Sequence, residues 1–150
     1  MKPLRIYMDT SVVGGCFDPE FADDSTALME MARRSEVVLV VSDLLLEELT
    51  EAPPRVLSAL RSLPVDSMER VEATREVTRL HRLYMEAGVL GRASSGDALH
   101  VALATVSRVD VIVSWNFKHI VHFDKIRGFN AVNLREGYMM IDIRSPKEVV

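Results

Sequence analysis

Leu4-Arg5-Ile6-Tyr7-Met8-Asp9-Thr10-Ser11 is a short apolar run that stops at three polar residues. That pattern reads as a buried strand ending in a polar turn. Two more runs repeat it: Val37 to Val41, rich in β-branched valine and followed by Ser42, and Val109 to Val113, followed by Ser114-Trp115-Asn116. Strands that are apolar throughout suit a sheet covered on both faces. A fourth, shorter run, Ala131 to Leu134, reads as another strand, and Pro64 to Met68 offers a short one. Between the runs lie helical patterns over about Ser25 to Arg34, Asp43 to Ala52 (stopped by Pro53-Pro54), Ser67 to Ala87 (ended by Gly88) and Asp97 to Ser107. Strands alternating with helices predict an α/β sandwich around a mainly parallel sheet, in which ligands bind beyond the carboxyl ends of the strands.

The chain has 150 residues, of which 48% are hydrophobic and 27% charged, which predicts one folded domain over 1–150. Cys16 is the only cysteine, so no intrachain disulfide or thiolate zinc cage can form; a reducing, cytoplasmic setting is expected. The first apolar run is too short for a signal peptide or a membrane span, so no membrane association is expected. A net charge of -4 argues against a broad basic surface gripping nucleic acid, yet it suits an enzyme that reaches phosphate through cations held by carboxylates. Ser145 to Val150 reads as a loosely held end, and Met139 to Ile143 either adds an edge strand or contacts a second subunit.

Four positions carry the candidate chemistry. Asp9 lies at the carboxyl end of the first strand, as a ligand or as a capping or turn aspartate. In the helix after Ser42, Leu44, Leu45, Leu49 and Ala52 form one apolar arc; Glu48 falls inside it, whereas Glu47, Thr50 and Glu51 project elsewhere. A carboxylate there requires a cation or donors, unless it reaches water or an ion pair at the rim of the arc. Asp97 opens a helix that is apolar nearly all round; a capping box with Ser94 and the helix dipole account for it as well as a site does. His100, one turn on, either approaches the same site or is a surface histidine; the surface reading is preferred and no role is assigned to it. Asn116 follows the third main strand, where its side-chain carbonyl either holds a metal-bound water or forms a turn. Trp115 and Phe117 either stack on bases or pack against the sheet, and Lys118, Lys125 and Arg127 read as scattered surface charges. Three carboxylates converging on one cleft would repel without a counter-charge, and oxygen ligands suit Mg²⁺ or Mn²⁺.

Asp9-Thr10-Ser11, Ser42 followed by Glu48-Leu49, Asp97-Ala98-Leu99-His100-Val101-Ala102 and Ser114-Trp115-Asn116, taken in order and spacing, resemble the PIN-domain nucleases, including the VapC toxins of toxin–antitoxin pairs. The resemblance covers most of the chain. It implies a three-layer α/β/α sandwich, Mg²⁺- or Mn²⁺-dependent hydrolysis of RNA, frequent homodimerisation and control by an antitoxin protein. Asp9, Glu48 and Asp97 match the first three acidic positions of that family. Asn116 departs from it, since an aspartate is usual there, after a threonine where this chain has Ser114. The loss of one negative charge should weaken cation binding, and it motivates a second reading, a non-catalytic module that binds RNA or protein. A haloacid-dehalogenase phosphatase would need an aspartate where Ser11 stands.

Overall fold

Side chains along a strand alternate between faces, and here both faces are apolar. In the computed structural model, which describes residues 2–150, β1 (Leu4–Met8), β2 (Val37–Ser42), β3 (Met68–Val71), β4 (Val111–Val113) and β5 (Ile143–Arg144) form one parallel sheet in the order β3-β2-β1-β4-β5. Ile6 sits opposite Leu39 on one side and Val111 on the other. Ile6, Met8, Leu39, Val41, Val111 and Val113 face one helical layer; Tyr7, Val40, Ile112 and Ile143 face the other.

The first layer holds α1 (Thr10–Gly15), α2 (Ala22–Arg33), α3 (Asp43–Leu49) and α4 (Pro54–Arg61), and its core includes Val12, Leu28, Leu45, Leu49, Val56 and Leu60. The second holds α5 (Arg75–Glu86), α6 (Ser95–Val106) and α7 (Phe123–Arg135), packed through Leu80, Tyr84, Val101, Leu103, Phe129 and Val132. The result is a three-layer α/β/α sandwich. No helix among the described residues is long and apolar enough to cross a membrane.

Several expectations need correction. Ala131 to Leu134 is helical, within α7: Phe129, Asn130, Val132 and Asn133 are buried at the spacing of one helix face, while Leu134 is exposed. A four-residue apolar run cannot by itself distinguish the two periods. The helix expected over Ser67 to Ala87 divides into the edge strand β3 and α5, whose N-cap Thr74 accepts a hydrogen bond from the Val77 amide (3.3 Å). Ser145 to Val150 is tied down rather than loose: Ser145 and Glu148 form a capping box around a 3-10 turn, and Pro146 is buried. The Met139 to Ile143 run leads into the edge strand β5, with Met139 and Met140 exposed before it.

Strand order determines where a cleft forms. The chain moves outward from β1 through β2 to β3, then crosses back to β4 on the other side of β1, so the order reverses between β1 and β4. Loops leaving two such strands diverge to opposite layers and leave a crevice at their carboxyl ends. Asp9 and Ser114 are the residues that follow β1 and β4.

Candidate active site

Asp9 is only 4% exposed. It occupies the N-cap position of α1, yet its side chain makes no capping bond. Instead its Oδ1 accepts from Ser11 Oγ and its Oδ2 from Ser114 Oγ, both at 2.6 Å, which joins the ends of β1 and β4. Burial pushes its carboxyl above the usual aspartate range; the charge of His100 and the two serine hydroxyls offset part of that effect, and the charge of Asp97 adds to it.

Glu48 lies in the last turn of α3, at the rim of the apolar arc, with its side chain 39% exposed. Its Oε1 accepts from Thr10 Oγ1 (2.7 Å) and is 2.5 Å from His100 Nε2. Burial alone would raise its carboxyl, but the hydrogen bond and charge of His100, together with the Thr10 hydroxyl, outweigh that and hold it below the ordinary glutamate value. Among the described residues, Oε2 has no hydrogen-bond partner.

Asp97 lies in the first turn of α6, but the capping box with Ser94 does not form. Its Oδ2 accepts from Asn116 Nδ2 at 3.1 Å and lies 3.3 Å from His119 Nδ1. Of the two readings of Asn116, the structure shows the turn. Its Oδ1 accepts from the Lys118 and His119 amides (3.2 and 2.9 Å), closing a turn, and its amide nitrogen faces Asp97. The Asn116 backbone amide donates to Ser114 Oγ (2.9 Å), so one chain of hydrogen bonds runs from Asp97 through Asn116 and Ser114 to Asp9.

Sequence reasoning preferred a surface reading of His100 and assigned it no role, but it is 2% exposed. Besides Glu48 it contacts the Tyr7 hydroxyl, 2.6 Å from Nδ1. A signal was available, because a helix that is apolar nearly all round has no solvent face on which to place a histidine. Trp115 packs rather than offering a base platform. Its ring stacks on Phe21 at 4.3 Å, and its Nε1 donates to Ser25 Oγ (2.8 Å). Gly15 makes room for this contact, since a Cβ there would meet Ser25 Oγ at 2.6 Å and Trp115 Nε1 at 2.8 Å.

Asp9 and Asp97 are thus joined through Ser114 and Asn116, while Glu48 is held by Thr10, the neighbour of Asp9, and by His100. They do not form a ready-made cage: among the described residues, no three His, Cys, Asp or Glu side chains are gathered as a metal-binding group. Their partners nonetheless differ from those of acids elsewhere. Glu69, Asp43 and Glu136 pair with Arg5, Arg70 and Arg79, whereas the crevice acids have ion-pair contacts only with histidine. An oxygen-only donor set with no Lys or Arg to neutralise it fits a hard divalent cation.

No protein-family profile matches the chain, and no curated protein matches its sequence. Solved structures do match. One is VapBC2 from Rickettsia felis bound to a DNA fragment from its promoter: 15% identity, 77% of this chain and 90% of that chain covered, TM-score 0.56. A second is FitAcB from Neisseria gonorrhoeae, at 10% identity, 95% and 98% coverage and TM-score 0.59. A third is DNA-bound VapBC from Salmonella typhimurium, at 15% identity, 95% and 98% coverage and TM-score 0.60. At these identities the likeness establishes the fold: the chain has the PIN-like α/β/α fold that its motifs resemble.

Proposed function

We propose that the protein is a Mg²⁺- or Mn²⁺-dependent endoribonuclease acting at the crevice of Asp9, Glu48 and Asp97, and that it is the toxin of a toxin–antitoxin pair. The observation that supports this reading is that Asp9 and Asp97 are joined through Ser114 and Asn116 at the sheet's switch point, with Glu48 bonded to the adjacent Thr10, and that among the described residues none of the three acids forms an ion pair with Lys or Arg. VapBC and FitAcB complexes among the fold's neighbours support the toxin assignment and an antitoxin partner.

Hydrolysis forms a bond from a water oxygen to phosphorus and breaks the bond to the leaving oxygen. A proton must leave the water, and one must reach the leaving group. A bound divalent cation supplies Lewis acidity towards water and phosphate oxygens. Asp9, Glu48 and Asp97 are the residues to hold it. Glu48, kept anionic by His100 and Thr10, presents Oε2 to orient water or accept its proton. Asn116, through its amide, fixes the rotamer of Asp97. Ser11 and Ser114 hold Asp9 from both sides.

The test incubates the purified protein with single-stranded and structured RNA, with Mn²⁺ or with a chelator. Cleavage should require the metal and fall by about 10²-fold or more in Asp9→Asn. Chelator-insensitive cleavage, or full activity in Asp9→Asn, would overturn the mechanism. A partner-binding protein that gives no divalent-ion heat in calorimetry would instead be the non-catalytic module. A small DNA-binding antitoxin encoded immediately upstream is expected, and its co-expression should suppress cleavage.

A further inference from the structure

We propose that His100 is the positioning residue of this site: it bridges the Tyr7 hydroxyl and the Glu48 carboxylate, and so fixes the start of α3 and the carboxylate at its end as one unit. This rests on the metal-site reading of Glu48.

The bridge begins at Ser42. Its Oγ caps α3 by accepting from the Leu45 amide (3.0 Å), and it also accepts from the Tyr7 hydroxyl (2.8 Å). With the tyrosine proton given to Ser42, the Tyr7 oxygen is left to face His100 Nδ1, while Nε2 faces Glu48 Oε1. Both ring nitrogens are therefore occupied by oxygens, and the imidazole cannot swing without breaking two contacts. Its plane is further fixed edge-on to the Tyr7 ring, at 66° and 5.7 Å between centroids.

Four elements meet in this chain of contacts: β1 through Tyr7, β2 through Ser42, α3 through Glu48 and α6 through His100. Glu48 is the penultimate residue of a seven-residue helix, where a glutamate would otherwise sample several rotamers. Thr10 and His100 both hold Oε1 and leave Oε2 free, so the carboxylate is aimed as well as held. A leucine or phenylalanine at position 100 would fill the apolar surroundings of α6 without any buried polar atom to satisfy. A merely structural histidine would not need a partner that opens onto the crevice. Ligand-orienting residues of this kind typically alter metal affinity or activity by about 10–100-fold when removed.

The experiment titrates Mn²⁺ by calorimetry into wild type, His100→Leu, Tyr7→Phe, Glu48→Gln and His100→Leu/Glu48→Gln, with circular dichroism to confirm folding. His100→Leu should weaken Mn²⁺ binding by about 10–100-fold, and Tyr7→Phe, which keeps the ring and its packing, should weaken it in the same direction. In the Glu48→Gln background, His100→Leu should add nothing. RNA KM should stay unchanged while kcat at fixed Mn²⁺ falls. In metal-free protein, the His100 ring ¹⁵N resonances should shift in both Tyr7→Phe and Glu48→Gln. Wild-type heat with unchanged affinity in His100→Leu and Tyr7→Phe overturns the positioning role alone, as does full additivity in the double variant. No Mn²⁺ heat in wild type overturns the metal-site reading, and the positioning role with it.

Discussion

Tyr7 and Tyr84 lie in the same apolar layer, and burial drives each phenol well above its ordinary range. Their hydrogen-bond chains end differently. From Tyr84 the contacts pass to Asn133 (2.5 Å) and Thr105 (3.2 Å), from Asn133 to Asn130 (3.3 Å), and from Asn130 to the backbone N–H and C=O of Ile141 (2.7 and 3.1 Å). This chain closes on itself inside the protein and anchors the segment leading into β5. From Tyr7 the contacts pass through His100 to a carboxylate that is partly open to the crevice. Two buried polar networks of similar make-up thus do different work, and the atom at which each one ends tells them apart.

The largest effect should come from the closed network. Asn130→Ala leaves the N–H and C=O of Ile141 unpaired in the interior, and urea denaturation should show a loss of about 2–4 kcal/mol. RNA cleavage per folded molecule should be unchanged, and a large drop would erase the distinction. Next comes the matched pair Tyr84→Phe and Tyr7→Phe. Each should lower stability by about 1–2 kcal/mol, but only Tyr7→Phe should weaken Mn²⁺ binding. Asn116→Asp replaces the amide that faces Asp97 with a second carboxylate. Without divalent ions it should reduce stability by about 1 kcal/mol, whereas saturating Mn²⁺ should raise its melting temperature more than that of wild type.

The smallest effect concerns Asp9. Its folded carboxyl is raised, so between the ordinary aspartate value and the raised one the folded state binds more protons than the unfolded state. Wild-type stability therefore falls as pH rises through that window. Asp9→Asn carries no such charge, so in metal-free buffer it should melt higher than wild type at neutral pH, with the advantage vanishing at acid pH. Thermal melts across pH check the sign, and a destabilised variant at neutral pH would contradict it.

Particular residues show what the sequence could reveal. β1, β2 and β4 are legible because strands covered on both sides are written as unbroken apolar runs, and Glu48 stood out because a helical arc separates it from Glu47. Asp9 and Asp97 were ambiguous for a physical reason: a carboxylate at a helix start is locally identical whether it caps or faces a crevice. Only the structure shows that neither side chain caps its helix and that contacts to Ser114 and Asn116 stand instead. His100 was misread because its main buried partner, Tyr7, lies 93 residues away. α7 was misread because Asn130 and Asn133, which look like polar surface positions, are buried in the closed network.

The placement of β1 between β2 and β4 also governs when the crevice can form as the chain is made. The strand translated first is completed by one that emerges 105 residues later, as the bond from Ser114 to Asp9 measures it. A nascent or prematurely terminated chain ending before β4 holds Asp9, Glu48 and Asp97 but lacks the second wall of the crevice, along with the serine and asparagine that fasten Asp9 and Asp97. Long-range pairing of this kind forms late in folding. A ribosome carrying a copy that ends before β4 therefore carries no assembled crevice.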